Sequence, residues 1–322
     1  LIDHYAENVW LASLGGGIGA NWSNVRSDGS KTSTGSTSTG IVPFIKMCDS
    51  EILAFQQGVT RRGAYAAYLD ISHPEIEEFI KIRNPDGGQI DRKCLNIHIG
   101  VNITDSFMEH LKSGDPWPLI DPNSGEVVKT VDPRHLWNEI LVVRSGPGGE
   151  PYLFFIDTAN RALPQELKDQ GHKITHSNLC TEIVQPTTPE YTAVCCLSSV
   201  NIYKYEEWKD DPLFIEDLIR MLDNVLDVFL DKADPVTMAS AIASATNERS
   251  IGLGAMGWHS FLQSKGVPFD SAVALGWTNK IWKQIYDQGI SASEKLATER
   301  GEPRALKGSG RRNAHCFAIA PN

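Results

Sequence analysis

Alternating apolar and polar residues predict three strands spread along the chain. The clearest covers Leu95 to Ile103, where Leu, Ile and Val alternate with Asn, His and Gly at a period of two. This period leaves one polar face, which could line a binding or catalytic site. Further strands are predicted over 152–156 and 193–202.

Three shorter segments read as helices or helix ends. A helix over Tyr5 to Leu14 should close at the run of glycines 15–17, because consecutive glycines do not sustain helical backbone cheaply. Helices are also predicted over Ser50–Gln57 and His73–Arg83. Ser72 would cap the latter, with a proline following in its first turn.

The longest predicted helix lies between Pro212 and Pro235. Its apolar face is predicted to consist of Ile215, Leu218, Leu222, Val225 and Phe229. Helices interspersed with strands indicate an α/β architecture.

Two segments between these elements have unusual compositions. Residues 27–40 are mostly Ser, Thr and Gly, which is typical of a flexible linker. Apolar segments resume at once on both sides, which favours an ordered loop rich in hydrogen-bond donors. In 57–64, Gly58 and Gly63 flank two arginines. A plain helix-to-strand connector would explain these glycines but not the paired arginines.

Length and composition favour one large globular domain over 1–322. Apolar residues make up 41% of the chain, enough for a sizeable core. The formal net charge of −10 argues against a broad nucleic-acid-binding face, although a local pocket for phosphates remains possible. No apolar run approaches the roughly 18 residues that a membrane span needs. We therefore expect a soluble intracellular protein that binds neither DNA nor membranes.

The six cysteines fit neither a disulfide scaffold nor a C-x-x-C metal site. A reducing compartment follows, and some of these thiols could be catalytic or redox-active while others are inert and buried. Cys195 and Cys196 are neighbours, so in a strand only one could face a given cavity. A disulfide between them would be strained.

The segment Asn178-Leu-Cys180-Thr-Glu182 places an amide, a thiol and a carboxylate at alternate positions. If it is extended, all three groups point to one side, about 6–7 Å apart. This spacing would suit hydrogen abstraction and proton removal on adjacent carbons of a sugar ring. An ordinary half-buried strand would show the same spacing, and the spacing alone leaves that alternative open.

Five motifs resemble the large subunit of ribonucleotide reductases, and they occur in the family's order. They are Gly15-Gly-Gly-Ile-Gly19 with Ser23-Asn-Val-Arg26, Ser38-Thr-Gly-Ile-Val-Pro43, Asn178-Leu-Cys-Thr-Glu182-Ile, Cys195-Cys-Leu-Ser-Ser-Val-Asn201 and Asn247-Glu-Arg-Ser-Ile-Gly-Leu-Gly-Ala-Met-Gly257. Together they span the chain, which makes the resemblance more specific than any one motif.

The resemblance implies a ten-stranded α/β barrel of two antiparallel halves, with Cys180 on a central finger loop. Cys180 would carry a transient thiyl radical that takes the ribose 3′ hydrogen, while Glu182 acts as base at the 3′ hydroxyl. Asn178 would position the substrate by hydrogen bonding. Cys195 would be one of two reducing thiols, and Cys196 would be packing.

The resemblance also implies binding sites for phosphates and for allosteric effectors. Pro321 and Asn322 would begin a turn that holds the substrate phosphate. Arg26, Ser27 and Lys31 would belong to the specificity site for a deoxynucleoside triphosphate or ATP. In the neighbouring loop, the residues that relay effector identity to the substrate base would be Gln57 and Arg61.

The resemblance also implies partner proteins and a cellular location. The chain would bind no metal or cofactor itself, because a metal-containing small subunit would supply the radical. Thioredoxin or glutaredoxin would reduce the disulfide, the large subunit would be a homodimer, and the enzyme would be cytoplasmic. Cobalamin-dependent and glycyl-radical reductases, or a non-catalytic nucleotide sensor, are the alternatives.

Further family features are expected outside 1–322. They include the second reducing cysteine, an acidic effector-site residue, most phosphate-binding donors, paired tyrosines and C-terminal shuttle cysteines. The chain is therefore expected to be part of a longer protein or one product of a split gene. Alone it is expected to be inactive.

Overall fold

The computed structural model describes residues 1–55, 63–146 and 148–321, which form two compact units. The first unit contains residues 1–162 and 174–184, and the second contains 163–173 and the chain from Gln185 onward. Each unit is α/β, with parallel strands and its own apolar core. Within the described residues, no helix combines the length and apolar character that crossing a membrane would require.

The first unit alternates helices with strands. In chain order its elements are α1 (Ile2–Ser13), β1 (Gly17–Asn21), β2 (Asp28–Lys31), β3 (Thr37–Thr39), α2 (Val42–Ala54), β4 (Ala64–Asp70), α3 (Ile76–Phe79), β5 (His98–Ile103), α4 (Asp105–Ser113), β6 (Trp117–Ile120), β7 (Val127–Val131), α5 (Pro133–Arg144), β8 (Tyr152–Phe155) and α6 (Ile156–Ala162). The predicted helix before the glycine run is therefore confirmed, and β1 already begins at the last glycine of that run.

Strands β1, β4, β5 and β8 form a four-stranded parallel sheet in that order. Helices lie in the connections, as parallel pairing requires. The strand predicted over Leu95 to Ile103 is confirmed as β5, although it begins only at His98. Its Asn102 is fully buried, because a parallel sheet is covered on both faces. The strand predicted over 152–156 is confirmed as β8.

One face of this sheet packs into the apolar core of the first unit. Its buried residues include Ile18, Tyr65, Ala67, Leu69, Ile99 and Val101 from the strands, and Ile45, Cys48 and Ile52 from α2. The opposite face carries Gly19, Ala66, Tyr68 and Asn102, since successive strand residues point to opposite sides. That second face carries the candidate site.

Two helix predictions need correction. α2 begins at Val42 rather than at Ser50, with a proline in its first turn where the missing N–H costs nothing. The helix predicted over His73–Arg83 is reduced to the single turn α3. Ser72 does not cap it, because the N-cap residue is Glu75 and no side-chain hydrogen bond caps the turn. Ser72 instead lies before the helix, where its carbonyl accepts a hydrogen bond from Ile120 N–H at 2.7 Å. Tertiary contacts have overridden the local helix signal here.

The hydroxyl-rich segment 27–40 is ordered, so the alternative interpretation as a flexible linker is wrong. β2 and β3 pair as an antiparallel hairpin within it. At the tip, Thr32 N–H donates to Ser36 O at 2.8 Å. Strands β6 and β7 form a second antiparallel hairpin in the same unit.

The second unit contains mostly helices around one strand pair. Its elements are α7 (Gln165–Asp169), β9 (Cys196–Asn201), α8 (Tyr205–Trp208), α9 (Phe214–Lys232), α10 (Ala239–Glu248), β10 (Ile251–Met256), α11 (Trp258–Ser264) and α12 (Ala272–Arg300). β9 and β10 are parallel, with Cys196 opposite Ile251. The strand predicted over 193–202 is therefore confirmed with a later start.

α9 confirms the helix predicted between Pro212 and Pro235. Its fully buried apolar stripe is Ile215, Ile219, Leu222 and Leu226, which follows the helical period. Val225 was predicted on this face but is 43% exposed. The predicted face is slightly rotated about the helix axis. Val225 lies beside the buried stripe that runs through Leu222 and Leu226, and not within it.

A buried charge cluster also lies on α9. The side chain of Asp223 is fully buried and accepts from Arg249 at 2.6 Å, Arg300 at 2.7 Å and Arg312 at 3.0 Å. Burial alone would raise the pKa of Asp223, but the hydrogen bonds and charges of the arginines hold it below its usual value. This cluster joins α9 to α12, to the C-terminal end of α10 and to the chain that follows α12.

Candidate active site

A glycine-lined face of the first sheet carries the segment that leads to Cys180. A side chain at Gly19 would meet chain backbone, with its Cβ 2.9 Å from Asn178 Cα. A side chain at Gly17 would come within 2.7 Å of Leu179. The absence of side chains at these two positions therefore lets residues 174–179 lie directly on the sheet.

Side chains of the sheet hold this segment by hydrogen bonds. Asn21 and Asn102 both donate to the carbonyl of Thr175, at 2.6 and 2.9 Å. His176 Nε2 lies 3.1 Å from Gly19 O, which can only accept, so Nε2 carries the proton. Burial lowers the pKa of His176 to about 4, and the ring is neutral at physiological pH.

The expectation that Asn178 to Glu182 is extended, with three side chains on one side, is wrong. The chain turns at Cys180, and Thr181 has a φ of 73°, a region that β-branched residues rarely adopt. Asn178 N–H donates to Ile183 O at 3.2 Å, and Ile183 N–H donates to Asn178 Oδ1 at 3.1 Å. Amide, thiol and carboxylate thus share one closed turn.

The environment of Cys180 favours the neutral thiol. Cys180 is exposed on the turn, and Glu182 is half-buried two residues away. Partial burial of the sulfur and the negative charge of Glu182 raise the pKa of Cys180. A thiol can lose a hydrogen atom, whereas a nucleophilic cysteine requires a lowered pKa. The turn is therefore better suited to hydrogen-atom chemistry than to nucleophilic attack.

Tyr68 of β4 contacts this turn, and sequence reasoning did not identify it. Its hydroxyl donates to Asn178 O at 2.7 Å and lies 3.2 Å from Thr181 Oγ1. The residue sits in Ala-Tyr-Ala-Ala-Tyr, a pattern typical of any buried strand. No local signal separates Tyr68 from Tyr65, whose side chain lies in the core on the opposite face.

Cys195 lies in the second unit, immediately before β9. It is half-buried, and its Sγ is 3.7 Å from Cys196 O. Gly252 of β10 leaves room for it, because a Cβ there would lie 3.2 Å from the Cys195 sulfur. Cys196 packs against the core of the second unit, and burial raises its pKa. A packing role for Cys196 fits this position, and the redox role of Cys195 stays a prediction.

The chain leading to Pro321 runs along β10. Leu253 N–H donates to Cys316 O at 2.9 Å, and Ala318 N–H donates to Leu253 O at 3.3 Å. A Cβ at Gly254 would collide with the backbone of Ala320, whose N would be 2.7 Å away. The structure therefore brings Cys195 and this segment to the Gly252-Leu253-Gly254 stretch of one strand.

The predicted phosphate-turn residues lie at the end of this segment. Pro321 is exposed, following a buried alanine. Asn322 lies outside the described residues. The substrate-binding assignment of both residues stays a prediction.

Three predicted effector residues lie at one end of the 27–40 hairpin. Arg26 Nη1 donates to Lys31 O at 3.0 Å, Ser27 is buried and the Lys31 side chain is exposed. Gln57 and Arg61 lie outside the described residues. The effector assignment of these five residues is therefore a prediction that the geometry leaves open.

Asp121 anchors this hairpin and was also missed by sequence reasoning. Its Oδ2 accepts from Ser27 Oγ at 2.8 Å and from Ser30 Oγ at 2.5 Å. These hydrogen bonds outweigh the effect of burial and hold the pKa of Asp121 far below its usual value. The Asp-Pro-Asn-Ser-Gly sequence that begins at this residue signals a turn, but not its distant partners.

Glu75 holds both ends of the same hairpin. It accepts from Asp28 N–H at 3.1 Å and from Ile41 N–H at 3.0 Å. A side chain at Gly40 would overlap the Glu75 carboxylate. Burial raises the pKa of Glu75 to about 7, despite these donors. Among residues 1–55, 63–146 and 148–321, no three His, Cys, Asp or Glu side chains are grouped as a metal site needs.

Comparisons with known proteins agree with the motifs and the fold. The family model of the ribonucleotide reductase barrel domain matches residues 1–314. The chain therefore belongs to the ribonucleotide reductase barrel-domain family.

Individual relatives carry reductase names. A frog virus 3 protein named as a ribonucleoside-diphosphate reductase large subunit is 50% identical, over 100% of this chain and 56% of its own length. The ribonucleoside-diphosphate reductase large subunit of invertebrate iridescent virus 3 is 39% identical, over 100% of this chain and 58% of its own length. The chain thus spans little more than half the length of these curated relatives.

A solved structure shares the fold at comparable coverage. The class Id ribonucleotide reductase alpha subunit of Actinobacillus ureae superposes with a TM-score of 0.86 and 34% identity, over 99% of this chain and 56% of that chain. Helices and parallel strands of this chain therefore follow a known reductase subunit almost from end to end.

Proposed function

We propose that this chain is the catalytic-barrel part of a ribonucleoside-diphosphate reductase large subunit, which makes deoxyribonucleotides for DNA synthesis. The observation that carries the proposal is the closed turn holding Asn178, Cys180 and Glu182 on the glycine-lined face of the first sheet. Its thiol is exposed and kept neutral, as radical chemistry requires. Family membership supplies the substrate class.

The residues of the turn would act in sequence on the ribose. A thiyl radical at Cys180 would take the 3′ hydrogen atom, which regenerates the thiol and leaves a carbon radical. Glu182 would accept the 3′ hydroxyl proton. Asn178 uses its amide oxygen to close the turn, which leaves its NH2 group to donate to substrate.

Cys195 would supply reducing equivalents. Its thiol would give a proton to the departing 2′ hydroxyl, which leaves as water. The second cysteine would give a hydrogen to the 2′ carbon in place of the lost hydroxyl. The two sulfurs would join in a disulfide, so the pair supplies two electrons in all, and Glu182 would return its proton to the 3′ oxygen. The hydrogen atom would then return from Cys180 to the 3′ carbon. An external dithiol protein, thioredoxin or glutaredoxin, would restore the thiols by exchange.

Nucleotide effectors would bind at the 27–40 hairpin. Asp121 and Glu75 hold this hairpin rigidly, which supports a preformed site that includes Arg26, Ser27 and Lys31. Gln57 and Arg61 would relay effector identity to the substrate base. Replacing Arg61 by Ala should change which of the four substrates is reduced under a given effector more than it changes total activity.

The finer architecture and the partners are part of the same proposal. Both units would belong to one barrel domain over 1–322, with ten strands in two antiparallel halves. The radical would come from a metal-containing small subunit of the class I type, and the large subunit would be a cytoplasmic homodimer. Similarity to the class Id alpha subunit supports this choice.

One observation supports adenosylcobalamin as a second candidate source of the radical. The vitamin B12-dependent ribonucleoside-diphosphate reductase of Mycobacterium tuberculosis is 32% identical over 97% of this chain and 44% of its own length. Assaying the full-length protein with small subunit, and separately with adenosylcobalamin, distinguishes the two. We expect activity with the small subunit only.

The test of the core proposal compares Cys180→Ser with Cys195→Ser in the full-length protein. The first should abolish deoxynucleotide formation while nucleotide binding persists, because a hydroxyl does not readily form the radical. The second should start radical chemistry but release breakdown products, because the disulfide cannot form. Normal turnover by both variants would refute the assignment.

A further inference from the structure

The turn that carries Cys180 is closed at its base by hydrogen bonds between residues 177–178 and Ile183. Ser177 Oγ and Asn178 N–H both donate to Ile183 O, at 2.9 and 3.2 Å. Between these anchors, Thr181 adopts a left-handed φ of 73°, which is unfavourable for a β-branched residue. Contacts that offset this backbone cost are therefore important for the shape of the turn.

Tyr68 supplies contacts on both sides of Cys180. Its single hydroxyl proton is used in the 2.7 Å hydrogen bond to Asn178 O. The phenol oxygen is 3.2 Å from Thr181 Oγ1, so it accepts the hydroxyl proton of Thr181. One phenol oxygen thus connects the residue two before the cysteine with the residue one after it.

The phenol itself is held rigidly. Tyr68 lies on the central strand β4 and is fully buried. The ring covers Gly100, where a Cβ would overlap it, and packs edge-on against Phe154 at 6.1 Å and beside His176 at 6.1 Å. Burial raises the pKa of Tyr68 to about 12, so the donor is retained throughout the physiological range.

We propose that Tyr68 is a positioning residue, which fixes the Cys180 thiol by bracketing its turn through Asn178 and Thr181. This inference rests on the proposed function only in its effect on turnover. The two contacts of the Tyr68 hydroxyl with Asn178 and Thr181, called the bracket below, are a property of the geometry alone. Misplacing a reacting atom by about 1 Å can cost on the order of 100-fold in rate. Loss of one hydroxyl should therefore affect catalysis strongly while leaving the fold in place.

The test compares Tyr68→Phe with Tyr65→Phe in the full-length protein. Tyr65 is on the same strand, fully buried on the opposite face, and its hydroxyl is also hydrogen-bonded, to His4 Nε2 at 3.1 Å and Trp22 Nε1 at 3.0 Å among others. Both variants lose one buried hydroxyl and keep the ring. Only the loss at 68 should release the Cys180 turn.

The first readout is the alkylation rate of Cys180 by iodoacetamide, followed by peptide mass spectrometry. Cys195 in the same molecules is the internal reference. We expect Tyr68→Phe to change the Cys180 rate by about fivefold or more, with the Cys195 rate constant, and Tyr65→Phe to change neither by more than about twofold. An unchanged Cys180 rate in Tyr68→Phe overturns the proposal.

Thr181 provides a rescue test for the second half of the bracket. Thr181→Ser keeps the hydroxyl and should alkylate like the parent protein, whereas Thr181→Val keeps the β-branch, loses the hydroxyl and should resemble Tyr68→Phe. Equal rates in the Ser and Val variants would show that the Thr181 contact does not hold the turn.

The second readout is turnover with small subunit, effector and reductant. We expect kcat of Tyr68→Phe to fall by about 10-fold to 100-fold, and that of Tyr65→Phe to stay within about twofold. If Cys180→Ser remains active, the proposed function fails, while the alkylation result still tests the bracket. If Cys180→Ser is inactive but Tyr68→Phe turns over normally, the positioning role fails.

Discussion

Both units seat an irregular chain segment on a strand that contains Gly-x-Gly, but they hold this segment by different bonds. In the first unit, residues 174–179 lie across Gly17 and Gly19, and side chains such as Asn21 bind the segment. In the second, the segment before Pro321 joins β10 at Leu253 through main-chain hydrogen bonds. The same sequence device thus serves two kinds of attachment.

This difference has consequences for mutation. A segment bound by side chains depends on a few particular residues, so a single substitution can remove one of its hydrogen bonds. A segment bound by main-chain hydrogen bonds tolerates most side-chain changes, provided that the glycines opposite it and the anchor at its start remain. In the second unit the anchor is the Asp223 cluster, where Asn313 Nδ2 also donates to Asp223 Oδ1 at 3.3 Å.

The largest effect should come from Asp223→Asn. This change keeps the shape but leaves three arginines around a neutral group, and removing one partner of a buried ionic cluster costs about 3–5 kcal/mol. Urea unfolding measures the loss. Asp231→Asn on the same helix is the control, since the Asp231 side chain is 73% exposed. A change below about 1 kcal/mol at 223 would mean that the anchor does not matter.

A pH effect should come next, from Glu248 beside the start of the second segment. Ala314 N–H donates to Glu248 O at 3.0 Å, and Ser250 Oγ bonds both Glu248 Oε2 at 3.4 Å and His315 Nδ1 at 2.9 Å. Burial raises the pKa of Glu248 from 4.5 to about 7. Between pH 4.5 and about 7, the folded state therefore keeps a proton on Glu248 that the unfolded state has already released.

Stability from this proton is complete below the unfolded pKa and is lost as pH rises through about 7. The full change is on the order of 3 kcal/mol. His315 does not obscure this effect. The parent protein and the Glu248→Gln variant both contain His315, so its contribution to the unfolding free energy is the same in both and drops out of their difference. We expect Glu248→Gln to flatten the fall in unfolding free energy between pH 5 and pH 7, and parallel curves for both proteins would contradict this.

Gly19→Ala and Gly254→Ala should have intermediate effects in their respective units. Each new Cβ meets backbone that cannot rotate away, which costs about 1–3 kcal/mol. Both should also reduce deoxynucleotide formation. Gly276→Ala is the matched control, because this helical glycine faces open space and should gain about 0.5–1 kcal/mol. Tolerance of alanine at 19 or 254 would show that the segment is not seated as described.

The smallest effects should separate the two attachments directly. Asn21→Ala removes a 2.6 Å side-chain hydrogen bond to the first segment and should cost about 1 kcal/mol. Ile319→Ala changes an 82% exposed side chain on the second segment and should cost less than about 0.5 kcal/mol. Equal losses in thermal or urea unfolding would break the comparison.

The sequence alone determined the element types and the region of the candidate site. Period-two alternation identified β5, and the helical period identified α9, since both patterns depend on which side of an element is buried. Residue chemistry selected Asn178, Cys180 and Glu182 as a group. These inferences need only local geometry, in which each residue acts through its own type and spacing.

Only the tertiary structure decided the form of the site. The turn at Cys180 replaced the expected extended strand, because bonds from Tyr68, more than one hundred positions away, outweigh local preference. For the same reason His73–Arg83 did not remain a helix, and Asp121 appeared as an anchor of the hairpin. Such partners are distant along the chain and close in space, so periodicity and spacing carry no signal of them.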